Sequence, residues 1–112
     1  MNPWFRSWLP SEGGVALKEL RFQTAGELAR RMQSREVSTH EVLEAYLAQI
    51  SKHNERLNAV VTLDEEAARL RARQADEALG KGMVWGPLHG VPITIKDCFE
   101  TAGLRTTSGF PR

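Results

Sequence analysis

The sequence predicts an α/β fold, and three observations carry that expectation. Two short β-branched runs, Leu57–Leu63 and Val91–Ile95, flank an alanine-rich helical stretch, as in a βαβ unit. Two amphipathic helices with capping signals stand in front of them. Two strands do not make a stable parallel sheet by themselves. The pattern reads as N-terminal helices plus the first strands of a larger domain, incomplete in this chain.

The bulk numbers narrow the function classes. The 112 residues, 41% of them hydrophobic, suffice for one small domain with a core and not for two. A 26% charged content with a net charge of +1 gives no pull toward nucleic acid or an anionic membrane. A single cysteine, Cys98, excludes an intramolecular disulfide framework and a multi-cysteine metal site. Residues 1–10 lack the apolar run of a signal peptide, and no stretch approaches the roughly 20 apolar residues of a membrane helix. The expectation is a soluble cytoplasmic protein.

Residues 1–19 read as an N-terminal extension broken by Pro3, Pro10, Gly13 and Gly14. Trp4 and Trp8, like Phe5 and Leu9, stand four apart, so one helical turn presents an aromatic face to the body or to a partner chain. A membrane-surface anchor is the weaker reading, since the stretch is short and carries only Arg6.

Thr24-Ala-Gly-Glu27 has capping-box spacing, and Ala25, Leu28, Ala29 and Met32 follow on one helical face. This helix should stop near Ser34 or Arg35. Ser38-Thr-His-Glu41 is a second capping box, followed by an apolar stripe of Val42, Leu43, Tyr46, Leu47 and Ile50. Lys52 and His53 would sit in its last turn, where the helix dipole favours cations. The short connection suggests that these two helices form an antiparallel pair. His40 and His53 read as solvent-facing or capping residues, because no second ligand type accompanies them. In the third helix Thr62 or Asp64 is the cap, Ala68, Ala72, Ala75 and Leu79 form the seam, and Gly80 ends it.

The chain then enters Gly86-Pro-Leu-His-Gly-Val-Pro-Ile-Thr-Ile-Lys-Asp97. Alternation puts Val91, Ile93 and Ile95 on one face and Thr94 and Lys96 on the other. A lysine ending a buried strand is costly unless it is paired or loses its proton, so Lys96 is the first candidate for chemistry. Taken alone, Lys96 also reads as a surface residue just past a strand. Asp97 is placed to orient nearby amides or to cap the next turn. His89, in a tight turn, is expected to bond to backbone.

That string, followed by Ala102-Gly-Leu-Arg-Thr-Thr107 and Gly109, resembles the N-terminal part of amidase signature enzymes. Thr24-Ala-Gly-Glu-Leu28, Ser38 opening a helix, and Asn58-Ala-Val-Val61 match as well. The resemblance runs over about residues 20–109. It implies a mixed-sheet α/β fold of several hundred residues that hydrolyses or transfers amide groups. It also implies a serine nucleophile, a second serine in a cis peptide, and a lysine. Lys96 falls on that lysine, whose implied role is general base acting through the bridging serine. A lysine serves as a base when its surroundings disfavour the charged form, and serine–lysine pairs are a variant of triad logic.

By the same resemblance the substrate is a small-molecule amide, and neither a metal nor an organic cofactor is implied. A homodimer is one possible assembly. An alternative within the family is the glutamine-hydrolysing A subunit of a tRNA-dependent amidotransferase, which brings partner subunits. Both family serines lie in a Gly-Gly-Ser-Ser-Gly type segment that these residues do not contain; the serines present are Ser7, Ser11, Ser34, Ser38, Ser51 and Ser108. The expectation is therefore an extension, 1–19, and an incomplete amidase signature segment, 20–112, truncated before the catalytic serines and inactive alone. No residue is assigned to substrate binding. A rival thiol mechanism, with Cys98 as nucleophile and His89 or Lys96 as its base, lacks placed oxyanion donors. The reading outside enzymology is a helical interaction module or remnant.

Overall fold

The computed structural model describes residues 17–110, with four helices among them. These are α1 (Leu17–Leu20), α2 (Ala25–Gln33), α3 (Thr39–Leu57) and α4 (Glu65–Gly80). The aromatic turn expected at Trp4, Phe5, Trp8 and Leu9 lies outside the described residues.

Local chemistry sets most helix ends. Thr24 and Ser38 both close full capping boxes, with Glu27 and Glu41 returning to the cap amides. Asp64, not Thr62, caps α4 by accepting from the Ala67 amide at 2.9 Å. The α2 C-terminus folds back with Glu36 N–H on the Arg31 carbonyl and Arg35 N–H on the Met32 carbonyl, both at 3.0 Å. Arg35 holds the left-handed position this closure needs (φ 61°), and its guanidinium donates to the Leu79 carbonyl at 2.9 Å.

Two expected ends move. Helix α3 runs past Lys52 and His53 to Leu57, because nothing between them breaks a helix. It stops where Asn58 turns left-handed (φ 48°), a conformation asparagine tolerates better than most residues. Arg56, rather than Lys52 or His53, occupies the last turn. At the end of α4 the left-handed residue is Gly82, not Gly80. Gly82 N–H reaches the Leu79 carbonyl and Met83 N–H the Ala78 carbonyl, which is the Schellman pattern.

Packing pairs α3 with α4 and α1 with α3. The expected close pair, α2 against α3, is instead joined through side chains. Leu28 and Met32 of α2 meet Leu20, Val42, Ala45 and Leu79 in one apolar cluster. Leu43 and Leu47 meet Ala72 in a second, at the α3–α4 seam. Of the expected seam, Ala72, Ala75 and Leu79 are buried and Ala68 packs against the second cluster; Ala78 is buried beside them. Ala25 is exposed and lies off the apolar face assigned to it. Arg69 then forks across the seam, donating to both Glu44 oxygens at 2.6 and 3.2 Å and to Glu65 at 2.8 Å. This bond holds the Glu44 carboxyl below its usual range.

The start of α3 is also capped from a distance. Asp76, on α4, accepts from the Thr39 and His40 amides at 2.7 and 3.1 Å. Its carboxylate sits at the positive end of α3 and satisfies two amides that Ser38 does not reach.

The two predicted strands do not form: among the described residues there is no strand, and the one isolated bridge joins Thr101 to Leu104. Helix α3 takes Leu57, and residues 58–63 after it join no ladder among the described residues. The Asn54 side chain stands in for a neighbouring strand there, donating to the Val60 carbonyl and accepting from its amide, both at 2.8 Å. In Val91–Ile95, Val91 packs on the core while Ile93 and Ile95 are 73% and 51% exposed. The inward face therefore ends after one residue. β-branched residues favour a pleated, half-buried surface, and no partner provides one here.

Gly90 is fixed twice over. It is left-handed (φ 77°), and an added Cβ would overlap Thr39 Oγ1 and lie 3.2 Å from Met32 Sδ. Gly90→Ala should lose at least about 2 kcal/mol in urea denaturation, whereas Gly26→Ala, with open space in α2, should gain up to about 0.5. Asp76→Ala should cost about 1–2 kcal/mol in the same assay.

Candidate functional site

The site lies along the turn Gly86–Gly90, the irregular run to Lys96, and the loop from Asp97 to Phe110. The turn is fastened to the helical body at its start. His89 is 3% exposed, and its Nδ1 accepts from the Trp85 amide at 3.0 Å. Its Nε2 lies 2.9 Å from the Ala75 carbonyl. One nitrogen faces a donor and the other an acceptor, so the neutral ring with hydrogen on Nε2 satisfies both. Trp85 lies against the His89 ring with centroids 4.8 Å apart, and Arg71 of α4 covers Trp85 at 4.0 Å. The expectation that His89 bonds to backbone holds.

Both His89 nitrogens are thereby committed to backbone, which removes His89 as a base for Cys98. Cys98 is exposed, in the turn after Lys96. That turn is closed by Phe99 N–H on the Lys96 carbonyl at 3.0 Å. The thiol reading therefore loses one of its two bases.

Lys96 is exposed at the end of that run. Among the described residues its side chain has no hydrogen bond or ion pair. The burial expected at the end of a strand is not supplied by the described residues, because no strand forms there and Ile93 and Ile95 are exposed.

Beyond Lys96 the chain folds back, and Asp97 is the reason. Its carboxylate accepts from the Thr107 hydroxyl and, at 2.9 Å, from the Thr107 amide. The Asp97 carbonyl accepts from Ser108 N–H at 2.9 Å, with Ser108 left-handed (φ 50°). These bonds, led by the Thr107 hydroxyl and then its amide, hold the Asp97 carboxyl below its ordinary value. A depressed carboxyl adds stability that is fully present above the ordinary value and fades as pH falls through the folded one. The loop is tied on its far side too, where the Thr62 hydroxyl donates to the Arg105 carbonyl at 3.3 Å. Sequence reasoning gave Asp97 an orienting task without naming Thr107. The signal was the pair of hydroxyl residues at Thr106 and Thr107 in a glycine-bounded loop.

An open groove of about 600 Å³ runs between α3, α4 and the turn, lined by Leu43, Ala72, Trp85, Leu88, His89 and Ile93 among others. Lys96 does not line it. No group of three or more His, Cys, Asp or Glu side chains gathers to hold a metal among the described residues. No helix among them is long and apolar enough to cross a membrane.

The chain belongs to the Amidase family, whose model matches residues 41–112 and so includes the turn, Lys96 and Asp97. It is 45% identical over 84 residues to the A subunit of the glutamyl-tRNA(Gln) amidotransferase of Lachnospira eligens, covering 75% of this chain and 18% of that protein. It is 42% identical over 86 residues to the A subunit of the same name from Streptomyces coelicolor, covering 77% and 17%. It is also similar to an amidase of Pseudomonas putida, with 39% identity over 88 residues, covering 79% and 19%. The chain thus spans less than a fifth of the length of these curated relatives. No solved structure matches it significantly.

His89→Ala removes the donor to Ala75 and the acceptor for Trp85 from a buried place. It should lower stability by about 2 kcal/mol in urea denaturation. Cys98→Ser, at an exposed position, should change stability by less than about 0.5 kcal/mol.

Proposed function

We propose that these residues supply the lysine of an amide-cleaving centre in which two serines complete a Ser-Ser-Lys triad. The observation that carries the reading is the family match, which spans the Gly86–Asp97 string with Lys96 at its end. In the proposed reaction the Lys96 amine takes a proton from the bridging serine as that serine takes one from the nucleophile. The serine oxygen forms an ester with the acyl group, and the amine product leaves with a proton. Water then cleaves the ester and regenerates the serine. The two serines belong to sequence outside these 112 residues, so residues 20–112 act as an N-terminal segment of the domain and residues 1–19 as an extension. The substrate is a small-molecule amide. In this reading, other elements of the domain cover Ile93 and Ile95 and enclose the Lys96 amine. A single cysteine fits a cytoplasmic setting.

The second reading is the glutamine-hydrolysing A subunit of a tRNA-dependent amidotransferase, acting with partner subunits. The names of the relatives from Lachnospira eligens and Streptomyces coelicolor favour it. Both readings give Lys96 the same task. A remnant without chemistry is the third, and it predicts that Lys96 is replaceable.

The test grafts residues 20–110 onto the Pseudomonas putida amidase in place of its matching segment. Amide hydrolysis should persist, and Lys96→Ala in the graft should lower kcat by about a thousandfold with KM little changed. Lys96→Arg should not restore it, because a guanidinium does not give up its proton. Full turnover in Lys96→Ala would overturn the proposal. The 112-residue chain alone should turn over no simple amide.

A further inference from the structure

Lys96 is the one reacting group that these residues supply in that reading, yet its side chain is exposed and forms no hydrogen bond or ion pair with a described residue. A general base works only when its direction is set to within a fraction of an ångström. Something in the chain has to hold the backbone from which it leaves. The preceding residues do not, because the amides of Ile93, Thr94, Ile95 and Lys96 find no hydrogen-bond acceptor among the described residues.

The residues after Lys96 are tied down repeatedly. The Lys96 carbonyl accepts from Phe99 N–H at 3.0 Å. The Phe99 carbonyl accepts from the Thr106 hydroxyl at 3.2 Å. The Asp97 carbonyl accepts from Ser108 N–H at 2.9 Å. The Asp97 carboxylate takes both donors of Thr107, hydroxyl and amide. The turn from Lys96 to Phe99 is thus closed on itself and bonded to Thr106–Ser108. Thr62 in turn joins the Arg105 carbonyl to the segment after α3. Of these ties, only Asp97 brings an ionised acceptor, and charge-assisted bonds are the stronger kind.

We propose that Asp97 is a positioning residue for Lys96: by clasping Thr107 it closes residues 97–107 into a loop that fixes the backbone from which the Lys96 side chain departs. This rests on Lys96 being the reacting lysine. Asp97 never touches substrate and transfers no proton. Its lowered carboxyl keeps the clasp charged, and so closed, throughout the neutral range. The adjacency of Lys and Asp then has a reason: the aspartate holds the base by gripping the returning loop.

The experiment uses the 112-residue chain, labelled with ¹⁵N, and reads backbone amide order parameters together with the fold of α3 and α4. In the unaltered chain Lys96 should be rigid, at about 0.85. Thr107→Val removes the hydroxyl while keeping the size, and Asp97→Asn removes the charge. Each should drop the Lys96 value below about 0.6, with α3 and α4 unchanged. Thr107→Ser, which keeps both donors, should retain the original value. Lowering the pH below the ordinary carboxylate range should loosen Thr107 and Lys96 together.

If Asp97 merely stabilises its loop, Thr106–Gly109 will loosen in Thr107→Val while Lys96 stays rigid, and the proposal is overturned. A Lys96 already mobile in the unaltered chain overturns it too. These readings involve no turnover. Failure of the acyl-transfer reading appears only in the grafted amidase, so the two failures are distinguishable.

Discussion

The buried imidazole of His89 is the constraint on which the placement of the site depends. It joins the Gly86–Gly90 turn to the middle of α4 through the Ala75 carbonyl, and it holds the turn's entry through the Trp85 amide. Gly90 then passes so close to Thr39 and Met32 that no side chain fits. The turn is therefore clamped between α4 and the start of α3. Every residue from Val91 to Asp97 leaves from that clamp. The helices are in turn locked by Asp76, which caps α3 from α4 a few residues from the same place. The helical body serves as the footing for one turn.

Beyond the footing the chain changes character. The helices bury Leu20, Met32 and Val42 completely, while Ile93, Phe99 and Phe110 stay largely exposed. Burial is the dominant source of stability, so the stability of this segment is concentrated at the helical end. The chemistry we propose lies at the other end. That division suits a domain in which other elements cover residues 91–96. The family match, with relatives of which the matched stretch is less than a fifth, is consistent with it.

What was legible in the sequence was local. Both capping boxes, the apolar stripe of α3 and the alanine seam of α4 follow from spacing, and all are present. The His89 bond to backbone was legible for the same reason, since a histidine in a tight turn has backbone at hand. The Asp76 cap was not, because its partners lie 36 and 37 residues away. The strands failed for a related reason. A strand is defined by its neighbour, and β-branching at Val60, Val61, Ile93 and Ile95 says only that a neighbour would be welcome. Asn54 partly answers that need at Val60, which no periodicity reveals. The burial expected of Lys96 fell with the strand. The family motif was legible at once, being a string of identities rather than a fold.

The central claim is that the helical body is formed while the run carrying Lys96 has no ladder partner among the described residues. Native-state hydrogen exchange on the 112-residue chain tests it residue by residue. Amides in the middle of α3 and α4, such as Leu47 and Ala75, should share the highest protection. Those of Val61, Ile93 and Ile95 should exchange at nearly unprotected rates. Protection at Ile93 and Ile95 equal to that of the helices would show that a paired strand forms after all, and would contradict the claim.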